Sequence, residues 1–555
     1  MDIGIDIGGT YTDGVVMQDN EVISYAKIPT GQDITVSIRQ VLEQIVSGIN
    51  KKKVDRLVLS TTLITNLLAQ ERKFPVGLIL LPGPGVNPRT LRIKGKSIII
   101  RGAIDYRGRI IETLDEQEVK KAVEQLLLEG IEYIGVACKF CQRNPLLEEE
   151  IVKIIKEDYP QIKCLASNQV HGLLNWVRRA NGTVYQLMVA TEYQFFIDQI
   201  NKTLEQYDLT CPVFILKADG GTIPLGISAQ HPLEGIFSGP TASMLGGLAA
   251  GGEDLTTVVM DIGGTTTDLG LILKGVPLQA AKGAIINTYP IPSRALAVSS
   301  LALGGDTSLN ITNKKVCLGK RLGCAYCLGG PHLTITDALV YLGLSEIGDI
   351  SLAKAKMESW AYQHDLVPQK LAEEALELFL DALEEKLENI FRQWEEEPAY
   401  RVWQLLSAKV DRPRTIVCIG GPAKDLGELW GEKKGWNVVI PQYASVANAI
   451  GTALAKTTLR LDFFADTQQK IYSTNIGGVH GRVTNISKLE GARDFSKHLF
   501  QEIRQKWNII DEEVEIIYEE GFNIIRGWET AGKIFQIGLQ TPPGLKGYMS
   551  KGGEI

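Results

Sequence analysis

The hydrophobic pattern divides the chain into short apolar runs and longer amphipathic stretches. Ile3–Ile7, Gly14–Met17 and Val22–Ile28 are three β-rich runs separated by turns, which predicts a strand–turn–strand–strand meander. Helical spacing over Ile34–Val46 follows, then a strand at Leu57–Ser60, a helix near Thr65–Gln70 and a strand at Val76–Leu81. A second meander opens at Val258–Ile262, Leu269–Leu273 and Val276–Ala281. Amphipathic helices around 366–396, strands Thr415–Ile419 and Val438–Ile440, and a helix over Val446–Lys456 come after it. Helices alternating with strands predict an α/β sheet covered on both faces. Two such units, each opening with a glycine-rich hairpin, imply a cleft between lobes.

Between residues 86 and 240 the pattern adds inserted α/β structure. It predicts a helix over Asp115–Glu129 with Asp115 as N-cap, a strand at Ile131–Ala137 and a helix opened by Asn144-Pro145. One or two long helices over Leu173–Tyr207 and a strand at Val213–Lys217 follow. After residue 457, strands at Gln469–Thr474 and Glu513–Tyr518 flank a helix over Ala492–Lys506, and the tail from Thr541 to Ile555 reads as frayed or loosely docked. The expected division is a first lobe with insertion at 1–180, a second lobe at 181–457 and a small α+β appendage at 458–555.

The meanders carry a repeat. Asp6-Ile7-Gly8-Gly9-Thr10-Tyr11-Thr12-Asp13 and Asp261-Ile262-Gly263-Gly264-Thr265-Thr266-Thr267-Asp268 agree at seven of eight positions. Adjacent glycines let backbone approach an anion closely and reach positive φ, and the freed N–H groups form an anion-binding concavity. The hydroxyls of Thr10 and Thr265 can donate to phosphate oxygens. Asp6 and Asp261 would repel phosphate directly, and make sense with a hydrated Mg²⁺ between. Asp13 and Asp268 either orient a water or cap the turn. These four aspartates are the candidate catalytic groups. Gly420-Gly421-Pro422, a strand end before a helix, suits a nucleotide's sugar and base. The small-residue stretch Ala444–Ala455 suits close packing at a hinge or in a core. No Gly-x-x-x-x-Gly-Lys-[Ser/Thr] loop is present.

Composition narrows the setting. The chain has 555 residues, 44% hydrophobic and 22% charged, with 58 Lys+Arg against 65 Asp+Glu. A net charge of −7 argues against nucleic acid or an anionic membrane as main partner. No apolar run reaches a membrane span and the first residues lack a signal-peptide pattern, so a cytoplasmic protein with reduced thiols is expected.

The paired hairpins, the Gly-Gly-Pro turn and the small-residue helix resemble the superfamily of actin, sugar kinases and heat-shock chaperone ATPases. Finer motifs resemble the hydantoinase/oxoprolinase family, of the hydantoinase A type: Ser60–Asn66, Asn144-Pro145, Asp219-Gly220-Gly221, Phe237–Ala242, Asp261–Asp268, Gly304-Gly305 and Gly329–Ala338. The resemblance implies two actin-like (ribonuclease H-like) lobes around a nucleotide cleft. It implies ATP and Mg²⁺ as cofactors, with Gly8, Gly9, Thr10, Gly263, Gly264, Thr265, Gly304, Gly305, Gly420 and Gly421 on the nucleotide. The implied activity is ATP-dependent opening of a hydantoin or 5-oxoproline-like ring. Relatives in the family carboxylate acetone or acetophenone, and a nucleotide-driven machine that reactivates a partner protein is the third reading. The small-molecule partner would be a cyclic amide or ketone, in a homo- or hetero-oligomer that can include a second subunit. The sequence departs from the family where Leu303-Gly304-Gly305-Asp306 replaces a Gly-Gly-Gly-Ser-like loop, and it reads as shorter at its C-terminus than typical members.

Eight cysteines are too sparse for a disulfide scaffold. Cys317, Cys324, Cys327 and His332 have the spacing of a local zinc site, and Cys138 with Cys141 forms a second pair. A structural zinc site, a redox or iron–sulfur role, and unligated thiols all stay open, while Cys164, Cys211 and Cys418 read as core thiols. His171 sits before Gly172 either as a substrate contact or as a capping residue. Arg178 and Arg179 either face a carboxylate substrate or form a helical charge pair.

Overall fold

In the computed structural model, residues 1–69, 75–252, 255–396, 411–509 and 512–549 are described. The first sheet runs Glu21–Pro29, Tyr11–Gln18, Asp2–Ile7, Arg56–Thr61, Val213–Leu216, Thr222–Pro224 from edge to edge. Its first three strands are antiparallel, and Arg56–Thr61 and Val213–Leu216 then add in parallel. The second sheet repeats that order and sense: Val276–Pro277, Thr267–Leu273, Thr257–Ile262, Thr415–Ile419, Asn437–Val439. The registers match too. Asp6 lies opposite Asp13 and Asp261 opposite Asp268. The third strand of the second meander is only two residues long, because it ends at Pro277, whose nitrogen cannot donate to a ladder.

The expected division at residue 180 falls inside a helix. Trp176–Gln206 is one 31-residue helix, capped by Asn175, and its Tyr185, Tyr193, Phe196 and Ile200 pack with Ile5 and Leu57 in the first lobe's core. Val213–Leu216 belongs to that lobe's sheet as well. The insertion is a parallel sheet in the order Lys163–Ala166, Tyr133–Cys138, Val76–Leu81, Lys96–Ile99. Helices Glu116–Leu128 and Leu146–Asp158 supply apolar residues to its core. Asp115 caps the first of these as expected; Pro145 takes the N-cap position of the second, where Asn144 accepts from Leu146 N. The helix expected near Thr65–Gln70 forms over Leu63–Ala69, with Gln70 outside the described residues.

Two helices rich in small residues join the lobes, and each crosses over. Ser238–Gly251 follows the first sheet in sequence but packs on the second, where Gly247 lies against Val259. Ala447–Leu454 follows the second sheet but packs on the first, where Gly4 lies against Ala449 and Ala453. The helices also touch each other. A Cβ added at Gly246 or Gly451 would stand 2.6 Å from the backbone of Ala447 or Ala242. Buried Arg56 closes the end of the second helix, donating to Ala453 O (2.6 Å) and Ala455 O (2.8 Å) while paired to Asp2 (2.9 Å).

The C-terminal unit is a five-stranded antiparallel sheet in the order His480–Arg482, Ile471–Thr474, Arg460–Asp466, Glu529–Gln540, Glu515–Arg526. Helix Leu489–Lys506 packs on it. Its last strand pair is twelve residues on each side, longer than the apolar run at Glu513–Tyr518 predicts. Described residues of the tail are not frayed. Lys546 N donates to Leu454 O (2.8 Å) and Met549 N to Ala249 O (2.9 Å), so the tail crosses both hinge helices.

The hinge contact gives a direct test. Gly246→Ala should lower stability by about 1–3 kcal/mol, because the added methyl meets backbone that cannot rotate away. Gly421→Ala, where a Cβ meets nothing within 4 Å, should change stability far less. Urea unfolding midpoints of the two variants measure the difference.

Candidate nucleotide cleft

The two glycine hairpins meet across the gap between the sheets, with Thr10 Oγ1 and Thr265 Oγ1 3.5 Å apart. Each hairpin is pinned from behind. Gly8 N donates to Tyr11 O (3.0 Å), and Thr30 Oγ1 donates to Gly8 O (2.9 Å). Gly263 N donates to Thr266 O (2.9 Å), while Gly305 N and Asp306 N donate to the carbonyls of Gly263 (3.0 Å) and Gly264 (2.8 Å). Gly304 and Gly305 thus stack on the second hairpin. Thr336, from the family-like Leu-Thr-Ile-Thr-Asp-Ala block, donates to Gly305 O (2.9 Å). Asp337 of the same block is fully buried and accepts from Tyr326 N, Cys327 N and Thr334 N.

Gly420 stands beside this assembly at φ +100°, where a Cβ would lie 2.7 Å from Asp261 Oδ1. Only glycine suits that position. Gly421 faces open space. By contrast, Gly8, Gly9, Gly263 and Gly264 do not adopt the left-handed φ that adjacent glycines were expected to use. Their role is close approach: a Cβ on Gly264 would meet Asp306 Oδ2 at 2.6 Å, while Gly9 leaves its space open. All ten glycine and threonine positions singled out in the sequence therefore sit on the two facing hairpins or on the turns stacked against the second.

Behind the hairpins lie two buried carboxylates, Asp6 and Asp13, and two half-buried ones, Asp261 and Asp268. Burial pushes Asp6 up to about 7, with repulsion from Asp13 and Asp261 adding to it and nearby Ser60 and Asn448 opposing it. Even so, neither Asp6 Oδ1 nor Ser60 Oγ has a hydrogen-bond partner in correct geometry among the described residues. Asp13 is raised to about 6 by burial despite its ion pair with Lys27 (2.8 Å). Asp261 is raised by burial and held by Ser243 Oγ (2.6 Å) and Asn448 Nδ2 (3.0 Å). Asp268, raised to about 6 by burial and by Asp261, accepts from Ser300.

Ser243 and Asn448 come from the two hinge helices and were not singled out in the sequence. Asn448, the one amide on Ala447–Leu454, was a usable signal; Ser243 is one of three hydroxyls on Ser238–Gly251, and nothing in the sequence marks it out. Asp306, the departure from the family loop, pairs with Arg321 (3.1 Å) beside the second hairpin.

The expected zinc site is not formed. Among the described residues no group of three or more His, Cys, Asp or Glu is arranged to hold a metal. Cys138 and Cys141 belong to a buried network instead. Arg179 donates to Cys138 O (2.8 Å) and Cys141 Sγ (3.2 Å), and Glu148 accepts from Cys138 N (2.6 Å), Ser167 Oγ (2.7 Å) and Asn168 N (2.9 Å). Burial pushes the Cys141 thiol up to about 12, away from the thiolate a metal needs. Cys327 is raised to about 12 by burial and by Asp337, Cys317 lies against Asn310 O (3.5 Å), Cys324 against Leu328 O (3.8 Å), and His332 is exposed. Arg178 donates to Ile291 O (2.8 Å) and Arg179 is fully buried, so neither is free to face a substrate. His171 accepts from Leu173 N (2.9 Å) and burial lowers it to about 3, which keeps it neutral in a structural turn. Among the described residues, no helix is long and apolar enough to cross a membrane.

A model of the hydantoinase/oxoprolinase family matches residues 179–461, and one of its N-terminal region matches residues 2–159. This chain belongs to the hydantoinase/oxoprolinase family. It is 24% identical over 413 residues to the caprolactamase subunit alpha of Pseudomonas jessenii, covering 67% of this chain and 58% of the relative. It is 24% identical over 413 residues to the acetophenone carboxylase gamma subunit of Aromatoleum aromaticum, covering 64% and 56%. The chain therefore spans little more than half the length of these relatives. Its fold is that of a nucleotide-free acetone carboxylase (TM-score 0.72, 17% identity, 98% of this chain and 87% of that one). The ATP-dependent caprolactamase of P. jessenii has it too (TM-score 0.69, 18% identity, 97% and 87%).

The raised carboxylates fix a pH dependence. A group whose folded pKa is raised binds its proton more tightly folded than unfolded, so folding loses stability as pH climbs. For Asp6 that window runs from its ordinary 3.8 to about 7. The nucleotide-free protein should lose stability across it, and Asp6→Asn should flatten the slope, as read from urea midpoints against pH.

Proposed function

We propose that this chain binds ATP between its two lobes and uses it to open a cyclic amide, a hydantoin or 5-oxoproline-like lactam. The observation that carries the reading is the apposition of Thr10 and Thr265, with two buried carboxylates behind the first hairpin and two half-buried ones behind the second. The matching strand order of the two sheets supports taking the lobes as actin-like units. Hairpin hydroxyls and backbone N–H groups serve the phosphates, and Gly420-Gly421 lies against the sugar and base.

Mg²⁺ fits the same site. Four carboxylates with one lysine leave an excess of negative charge, and Asp6 Oδ1 is a buried oxygen without a partner. The aspartates do not converge as a ready-made cage, which suits a cation held through water and phosphate. Asp6, Asp13, Asp261 and Asp268 would hold it, and when bound it neutralises developing phosphate charge. Ser243 and Asn448 keep Asp261 oriented toward the cleft, while Lys27 fixes Asp13.

A lactam carbonyl is a poor electrophile. Transfer of the γ-phosphoryl group to its oxygen, with ADP released, makes the carbon electrophilic; water adds to it, the C–N bond breaks as the ring nitrogen takes a proton, and a second water hydrolyses the resulting acyl phosphate to carboxylate and inorganic phosphate. Positioning and charge stabilisation are then the protein's contribution. The likeness to acetone carboxylase favours a second reading, in which ATP activates bicarbonate and a ketone.

Asp261→Asn should abolish ATP turnover while leaving the circular dichroism spectrum and unfolding midpoint near those of the parent. Turnover at the parent rate would refute the assignment. ATP hydrolysis stimulated by a lactam supports ring opening; stimulation requiring bicarbonate and a ketone together supports carboxylation.

A further inference from the structure

Each lobe sets a basic side chain beside its hairpin. In the first lobe it is Lys27, which uses its three N–H groups on Asp13 Oδ1 (2.8 Å), Asp13 Oδ2 (2.9 Å) and Ser445 O (2.9 Å). In the second it is Arg321, paired to Asp306 (3.1 Å). Among the described residues Arg321 is engaged through Nε alone, so Nη1 and Nη2 of its guanidinium have no partner.

The backbone under Arg321 is fixed. Buried Ser308 accepts from Gly319 N through its carbonyl (2.7 Å) and donates from its hydroxyl to Lys320 O (2.7 Å). Asp306, where the chain departs from the family-like loop, then links the guanidinium to the hairpin tip. Asp306 N donates to Gly264 O (2.8 Å), and Asp306 Oδ2, the atom that accepts from Arg321 Nε, stands 2.6 Å from the place of a Cβ on Gly264. Gly264 precedes Thr265, whose hydroxyl faces that of Thr10 across the gap (3.5 Å). Stability does not explain the pair: the Arg321 side chain is 35% exposed, and ion pairs open to water contribute little to folding. Nor does Asp306 by itself help a hairpin that serves an anion. An acid against those N–H groups opposes the anion, unless the cation it holds meets that anion as well.

We propose that Arg321 donates its terminal N–H groups to the γ-phosphoryl group of ATP as that group is transferred, with Asp306 as the positioning residue that fixes the guanidinium beside the second hairpin. A planar guanidinium fork matches two phosphate oxygens, and its charge does not depend on pH in the working range. It offsets the negative charge carried on the phosphoryl oxygens while the P–O bond to ADP breaks and the P–O bond to the acceptor oxygen forms. Arg321 itself forms no covalent bond and moves no proton. The inference rests on the nucleotide cleft of the proposed function and holds whether the acceptor is a lactam or bicarbonate.

The test is calorimetric titration of the full chain with ADP and Mg²⁺, with and without aluminium fluoride, which mimics the phosphoryl group in transfer. Aluminium fluoride should tighten ADP binding to the parent. Arg321→Gln should keep its affinity for ADP within about threefold and lose about a hundredfold for ADP with aluminium fluoride, and Arg321→Lys should lose less. The urea midpoint of each variant should stay near that of the parent. Asp306→Asn separates contact from mere neutralisation. It should weaken the aluminium fluoride complex about tenfold, and adding Arg321→Gln should weaken it further; an arginine that only neutralised Asp306 would become dispensable in that background. The inference is overturned if aluminium fluoride does not tighten ADP binding to the parent, if Arg321→Gln binds both forms as the parent does, if it loses both equally, or if Asp306→Asn abolishes the effect of Arg321→Gln. A parent that binds ADP while Arg321→Gln behaves like it defeats this inference alone. A parent that does not bind ADP at all defeats the nucleotide cleft, and this inference with it.

Discussion

The molecule is organised around carboxylates that repel one another and are nevertheless held buried or half-buried. Asp6, Asp13, Asp261 and Asp268 are all raised above their ordinary values, so in the absence of a cation they oppose folding at neutral pH. What holds them in place is backbone packing. Glycines at 4, 246 and 451 let two helices and a strand approach without side chains between them, and apolar burial in the core behind them supplies the offsetting free energy. An arrangement that is costly alone and neutralised by a bound cation favours the loaded state by mass action. The same packing sets the two hairpin tips face to face.

Much of this was legible in the chain. The doubled Asp-x-Gly-Gly-Thr hairpin, the meander order and the Gly-Gly-Pro turn are local patterns, and local patterns survive folding because strand register and turn geometry are short-range. The strand at Thr415–Ile419 forms over the residues its apolar run marks. The ten glycine and threonine positions lie on the facing hairpins and the turns beside them, but the backbone reason differs from the expected one: close approach governs Gly264 and Gly304, and among these glycines positive φ occurs only at Gly420.

What the sequence hid is long-range. The crossing of the hinge helices brings Asn448 to Asp261 across 187 positions, and no periodicity marks such a pairing. The boundary at 180 does not follow the sheets, because helix Trp176–Gln206 and strands Val213–Leu216 and Thr222–Pro224 return to the first lobe after the insertion. The cysteine pairs misled because spacing along the chain carries no information about competing partners. Arg179 and Glu148 take up the polar environment around Cys138 and Cys141, leaving two neutral thiols in a satisfied core.

The tail has a mechanical consequence. One short peptide is hydrogen-bonded to Leu454 at the end of one crossing helix and to Ala249 near the end of the other, and Leu545, Tyr548 and Met549 sit in the apolar seam between them. Any rotation of one sheet relative to its twin must therefore stretch, slide or release this tether. The closing segment of the described chain thus sets a limit on how wide the jaws can part, although it lies far along the sequence from the acids whose separation it governs.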